Sequence, residues 1–146
     1  MSAIVDFLTG QGRDAAGRTL DQVLAFSDGE LERHHDFIQW LFPLTEASAA
    51  VPGSPVLNPA DVIALKASAE AQAHLAAAVA RLGRFYDEND HWLRASDHNH
   101  LRITRIIKSQ RMLCGDASAD AFRDRILKRA EATPVSATSR RYWDAA

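Results

Sequence analysis

An all-α fold is what this sequence predicts: a single-domain helical bundle of five to seven helices around a buried central helix at about 28–42. Three observations predict it. Apolar residues recur at helical spacing along most of the chain, and capping signals open segment after segment. No stretch alternates apolar and polar residues as a half-buried strand would. There is no internal repeat and no heptad run. At 146 residues, 47% apolar and 25% charged, the chain is sized for one domain over 1–146 with one sizeable core.

The elements follow in order. Residues 3–8 make a short apolar opening ended by Gly10 and Gly12. "TLDQVLAF" starts on Thr19 with Gln22 three residues on, a capping box in which hydroxyl and amide each satisfy an orphan backbone donor. "SDGELERHHDFIQWLF" repeats that pattern with Ser27 and Glu30, and Pro43 ends the helix. A loop rich in Pro, Ser, Ala and Gly covers 44–57. The run from Asn58 to about 89 carries an N-cap, Pro59 at the first helical position and a stripe of Val62, Leu65, Ala69, Ala76, Val79, Leu82 and Tyr86. Residues 87–96 are polar and irregular, anchored by Trp92 and Leu93. A helix is expected from about 97 to 114, closed by Gly115, and another from Ser118 or Asp120 to about 132. Pro134 breaks it, and "SATSRRYWDAA" adds a last turn.

Charge is divided unevenly along the chain. Residues 1–93 carry 13 acidic and 6 basic side chains, residues 94–146 carry 6 acidic and 11 basic, and the net charge is −2. Docking of the two halves on each other accounts for this, and the pI of 6.3 does not favour a nucleic-acid partner. The single cysteine, Cys114, excludes an intrachain disulfide framework and suits a reducing compartment. The opening "MSAIVDFLTGQGRD" has no basic start followed by an apolar stretch of signal length, and no run reaches membrane-spanning length. A cytoplasmic protein without a membrane span is expected.

On a helical wheel, 28–42 is apolar around most of its circumference. Glu32, Asp36 and Gln39 fill a narrow polar sector with His35 at its edge, and Trp40 floors it. Buried carboxylates need partners. The helix from 97 supplies a cationic stripe of His98, Arg102 and Arg105, beside Asn99. Arginine's planar fork suits carboxylates. One reading is a structural ion-pair network, Glu32 and Asp36 to Arg102 and Arg105. The other is a ligand site walled by Phe37, Trp40 and Trp92, whose near-neutral balance suits a zwitterion such as an amino acid or peptide terminus.

His34 points into the apolar face and reads as a core histidine, whereas His35 could serve as a general base in an enzymatic alternative. No paired metal-ligand motif involves His34, His35, Asp36, His98 or His100, so no metal and no cofactor is predicted. "HNH" at 98–100 and "HD" at 35–36 lack the companion residues of the nucleases and phosphohydrolases that bear those letters. No nucleophile elbow or phosphate-cradling glycine loop is present. The balance leans away from an enzyme.

Two stretches carry a family resemblance. "LERHHDFIQWLFPL", followed some sixty residues on by "FYD", "HWL" and "HNHLRITRIIKS", resembles the conserved domain of the opioid growth factor receptor family over about 18–115. The matching positions are Leu31, Glu32, His35, Ile38, Gln39, Trp40, Leu41, Phe42 and Pro43. In the second motif they are His98, Asn99, Leu101, Arg102, Ile103, Thr104, Arg105, Ile106, Lys108 and Ser109. Departures fall at Asp87, Asp97 and Gln110. "GRTLDQVLAFSDGELE" looks like the compact bacterial versions, which lack the long repeat tails of the vertebrate receptors. The resemblance implies a ligand-binding or protein-interaction module. Its partner would be a small polar ligand, a peptide or another protein. By their spacing on the two helices, Glu32, His35, Asp36, Gln39, Trp40, His98, Asn99, Arg102 and Arg105 are the candidate binding residues.

Overall fold

The computed structural model describes residues 2–146, and among them it contains nine helices and no strand. The all-α expectation holds, with more and shorter helices than the periodicity suggests. The chain forms two compact units, Met1–Ala78 and Val79–Ala146.

In the first unit, α1 (Ala3–Leu8) is capped by the Ser2 hydroxyl and buries Ile4, Val5, Phe7 and Leu8. α2 (Leu20–Leu24) and α3 (Asp28–Arg33) open on complete capping boxes, Thr19 with Gln22 and Ser27 with Glu30. α4 (Ile38–Leu41) is one turn, every residue of it buried. α5 (Pro59–Ala67) has the Asn58–Asp61 box and Pro59 in its first turn. α1 packs on α4 and α5, and Phe7 meets Trp40 edge-on at 5.4 Å. α6 (Ala69–Glu88) begins in this unit, where His74 Nδ1 donates to the Leu8 carbonyl over 2.7 Å.

Two expected helices are each split. The run 58–89 breaks at Ser68, whose backbone is extended (ψ 118°) and whose hydroxyl accepts from Ala71 N–H. Ser68 ends α5 and starts the next helix with its own side chain, which high alanine propensity on both sides does not prevent. The expected central helix 28–42 breaks at His34, also extended (φ −82°, ψ 132°). The physical reason lies in the burial pattern. Phe37, Ile38, Trp40, Leu41 and Phe42 are all buried. On one straight helix they would point around most of the circumference, and a peripheral helix covers only part of that. Interrupting the helix re-aims the second half.

Local contacts hold that interruption. His34 stacks on Phe26 (5.0 Å, 25° between planes) and Phe26 meets Phe37 edge-on at 5.6 Å. The Arg18 guanidinium lies 5.5 Å over the Phe26 ring and reaches two carboxylates, Asp14 at 2.7 Å and Asp36 at 2.9 Å. Asp14, fully buried, also accepts from the N–H groups of Ala16 and Arg18. The two ends of this clasp should differ in weight. Asp36 is half exposed, so Asp36→Ala is expected to cost less than about 1 kcal/mol. Asp14→Ala removes the acceptor of two backbone donors and one of the guanidinium's two carboxylates, and is expected to cost about 2–3 kcal/mol. Urea titrations of both variants check the order.

In the second unit, α7 (His98–Cys114) packs most extensively on α8 (Asp116–Ala130), and both contact α9 (Ala137–Ala145). Gly115 turns the chain between α7 and α8 at φ 101°, in the region that favours glycine. α8 thus starts at Asp116, earlier than Ser118 or Asp120. α9 is a full helix rather than one turn, capped by Ser136. Leu82, Phe85, Tyr86, Trp92, Ile103, Ile106, Phe122, Ile126 and Trp143 are the core.

Candidate functional site

The sequence-derived site residues fall in both units. In the first, the in-line sector of Glu32, His35, Asp36 and Gln39 required one continuous helix. Because the helix breaks, those residues occupy three different settings. Glu32 is half-buried on α3, whereas His35 and Asp36 are exposed in the turn and Asp36 pairs with Arg18. Gln39 and Trp40 are buried on α4, at 7% and 8% exposure. Gln39 Oε1 is buried with no hydrogen-bond partner among the described residues. Such an unmet acceptor costs about 1–3 kcal/mol.

In the second unit the predicted residues lie on the first two turns of α7. His98 is exposed, Asn99 and Arg102 are buried, and Arg105 is half-buried. His98, Arg102 and Arg105 keep the i, i+4, i+7 spacing of one helix face. Asn99 is the hub of a hydrogen-bond network. Its side-chain N–H and its backbone N–H both donate to Asp97 Oδ1, at 2.8 and 2.9 Å, and its Oδ1 accepts from the Tyr86 hydroxyl at 3.1 Å. Asp97 is the N-cap of α7 and takes Arg94 on its other oxygen at 2.8 Å. Burial pushes the Asp97 carboxyl up, but the bonds from Asn99 and Arg94 outweigh it and hold the group below the usual carboxylate range.

The network continues through aromatic residues. Trp92 Nε1 donates to the carbonyls of Tyr86 (3.1 Å) and Asn89 (2.8 Å). Trp92 stands edge-on to Tyr86 at 5.2 Å and to Trp143 at 6.4 Å. His100 Nε2 lies 2.8 Å from the Trp92 carbonyl and Nδ1 lies 2.8 Å from Ser139 Oγ. A carbonyl only accepts, so Nε2 carries a proton; in the neutral tautomer this leaves Nδ1 to accept from the serine hydroxyl. Trp143 Nε1 donates to the His100 carbonyl at 3.1 Å.

Elsewhere in this unit a groove of about 290 Å³ is lined by Val79, Ala80, Ser118, Ala121, Phe122 and Arg125, none of them a predicted site residue. Arg125 pairs there with Asp87 and lies across Gly83, where an added Cβ would meet its Nη1 at 2.5 Å. Cys114 is half-buried, and that burial pushes its thiol up. Sequence reasoning missed Asp14, Arg18 and Ser139. "DAAG" at 14–17 is a turn signature that could have found the first. No local pattern joins Ser139 to His100.

A family model described as the opioid growth factor receptor (OGFr) conserved region matches residues 22–128. Among curated proteins, the chain is 37% identical over 97 residues to the opioid growth factor receptor of Mus musculus, covering 54% of this chain and 15% of that protein. It is 35% identical over 97 residues to that of Rattus norvegicus, covering 54% of this chain and 17% of the receptor. With the opioid growth factor receptor-like protein 1 of Mus musculus it shares 31% over 117 residues, 68% of this chain and 24% of the relative. The chain therefore spans a quarter or less of the curated relatives it matches. No solved structure matches it. No described helix is long and apolar enough to cross a membrane. With most of its length matched, the motifs on α3, α4 and α7 included, the chain belongs to the opioid growth factor receptor conserved-region family.

Proposed function

We propose that this chain is a ligand-binding or protein-interaction module that takes a small zwitterion or a peptide terminus. The observation that carries the reading is Gln39. Its side-chain carbonyl is buried on α4 with no donor among the described residues, inside the matched region and next to Trp40. A bound ammonium or amide N–H would supply the missing hydrogen bond. The irregular turn 34–37, exposed at His35 and Asp36, precedes Gln39 directly in the chain. The relatives' name, receptor, fits a binding role. Candidate contacts in the first unit are Glu32, His35, Asp36, Gln39 and Trp40. In the second unit, taken by itself, the candidates are His98, Asn99, Arg102 and Arg105 on α7, where a guanidinium suits a carboxylate.

Gln39→Met separates binding from folding. Methionine has similar length and no acceptor to leave unmet, so stability is expected to stay level or rise by about 1 kcal/mol. The response to amino acids and di- and tripeptides in a thermal-shift series is expected to vanish. Arg102→Ala is expected to weaken that response as well. A panel that shifts neither wild type nor variant, or a response that both variants retain, sinks the reading.

A further inference from the structure

We propose that Ser139 is a histidine-activated nucleophile that accepts an acyl group from a small apolar ester, with His100 as its base. The pair rests on geometry in the second unit. Ser139 Oγ lies 2.8 Å from His100 Nδ1, and the ring's Nε2–H is committed to the Trp92 carbonyl at 2.8 Å. That commitment leaves Nδ1 with a lone pair aimed at the serine, the arrangement of a nucleophile with an oriented base. Trp143 meets the ring edge-on at 5.3 Å, and its indole N–H bonds the main-chain carbonyl of His100. Ser136 Oγ donates to Ser139 Oγ at 3.1 Å and accepts from its N–H at 3.1 Å, which fixes the hydroxyl oxygen relative to α9. Ser139 is half-buried, whereas His100 is buried at 6% exposure.

The substrate class follows from the neighbours. Leu101 follows His100 directly and is 72% exposed. Tyr142 lies three residues beyond Ser139, on the same side of α9, and is 60% exposed. They are the two exposed large apolar side chains of this unit. An apolar acyl group is the substrate class that suits them. Ser139 lies outside the matched region 22–128, whereas His100 lies inside it, and neither is among the binding residues proposed above.

In the acylation step, Ser139 Oγ attacks the ester carbonyl carbon as its proton passes to Nδ1. The carbon–oxygen bond to the alcohol then breaks, and the departing alkoxide takes the proton from Nδ1. Water repeats the sequence on the acyl-serine, releasing the acid and regenerating the hydroxyl. The Trp92 carbonyl accepts from Nε2–H throughout and stabilises the transient imidazolium.

Treatment of the full chain with an alkyl fluorophosphonate, followed by intact mass and peptide mapping, tests this. A single adduct is expected on Ser139, formed about 100-fold faster than on any other serine. It should be absent from Ser139→Ala, whose circular dichroism should match wild type. His100→Gln should slow labelling by a similar factor. If that variant fails to fold, wild type and Ser139→Ala decide the matter alone. An unmodified wild type, or an adduct that persists in Ser139→Ala, overturns the proposal.

Discussion

Trp92→Ala is expected to destabilise the second unit by about 3–5 kcal/mol, the range for removing a fully buried indole. The side chain has no exposed surface and stands edge-on to Tyr86 and Trp143. Its truncation leaves a cavity and strips the carbonyls of Tyr86 and Asn89 of a shared donor. Against a typical total of about 5–15 kcal/mol, a loss of that size brings a marginal domain close to unfolding at 37 °C. Trp92→Phe keeps most of the volume and forfeits the N–H, so its cost should be about 1–2 kcal/mol. Chemical denaturation followed by circular dichroism separates the two. Equal costs would mean that the hydrogen bonds, not the packing, hold the cluster.

Asn99→Ala is expected to cost about 2–4 kcal/mol, because it takes a donor from a buried carboxylate and an acceptor from a buried phenol at once. The Asp97 carboxylate loses a side-chain donor, and the Tyr86 hydroxyl loses its acceptor. The effect has a pH signature. Asp97 is held below its ordinary range when folded, so the stability it contributes is present above its unfolded value. That contribution is lost as pH falls through the lower, folded value. Asn99→Ala removes one of the bonds responsible for the depression. The stability gap between wild type and variant should therefore narrow as pH falls below about 4. A gap that stays constant from pH 7 to pH 3 would show that Asn99 acts through packing alone.

Helix starts were the most legible feature of the chain, because a cap is a local chemical event. Thr19, Ser27 and Asn58 each bond the third residue of the helix they open, and each reads from four consecutive letters. Gly115 likewise announces a turn at positive φ. The two broken helices were not legible. Ser68 sits in an alanine-rich run whose propensity favours continuing, and its choice to cap depends on where α5 and α6 pack. The break at His34 depends on which surfaces the aromatic residues 37, 40 and 42 must cover, and a helical wheel carries no information on that.

The candidate site divides along the same line. The polar residues of α7 were readable from spacing, and Asn99 and Arg102 are indeed buried there. The partners that close the Asn99 network are a tyrosine 13 residues upstream and the capping aspartate, and only the folded chain assembles them. On the other side, treating Asp36 as part of a helical stripe concealed its pairing with Arg18, 18 residues earlier. His100 and Ser139 are 39 residues apart, beyond the reach of any periodicity.

The binding role is tested most directly by isothermal titration of the full chain with short peptides, run in parallel on wild type, Gln39→Met and Arg102→Ala. The expected result is saturable binding to wild type that is abolished in Gln39→Met and weakened in Arg102→Ala, with all three proteins folded. Absence of heat with wild type, or binding that both variants retain undiminished, would contradict it.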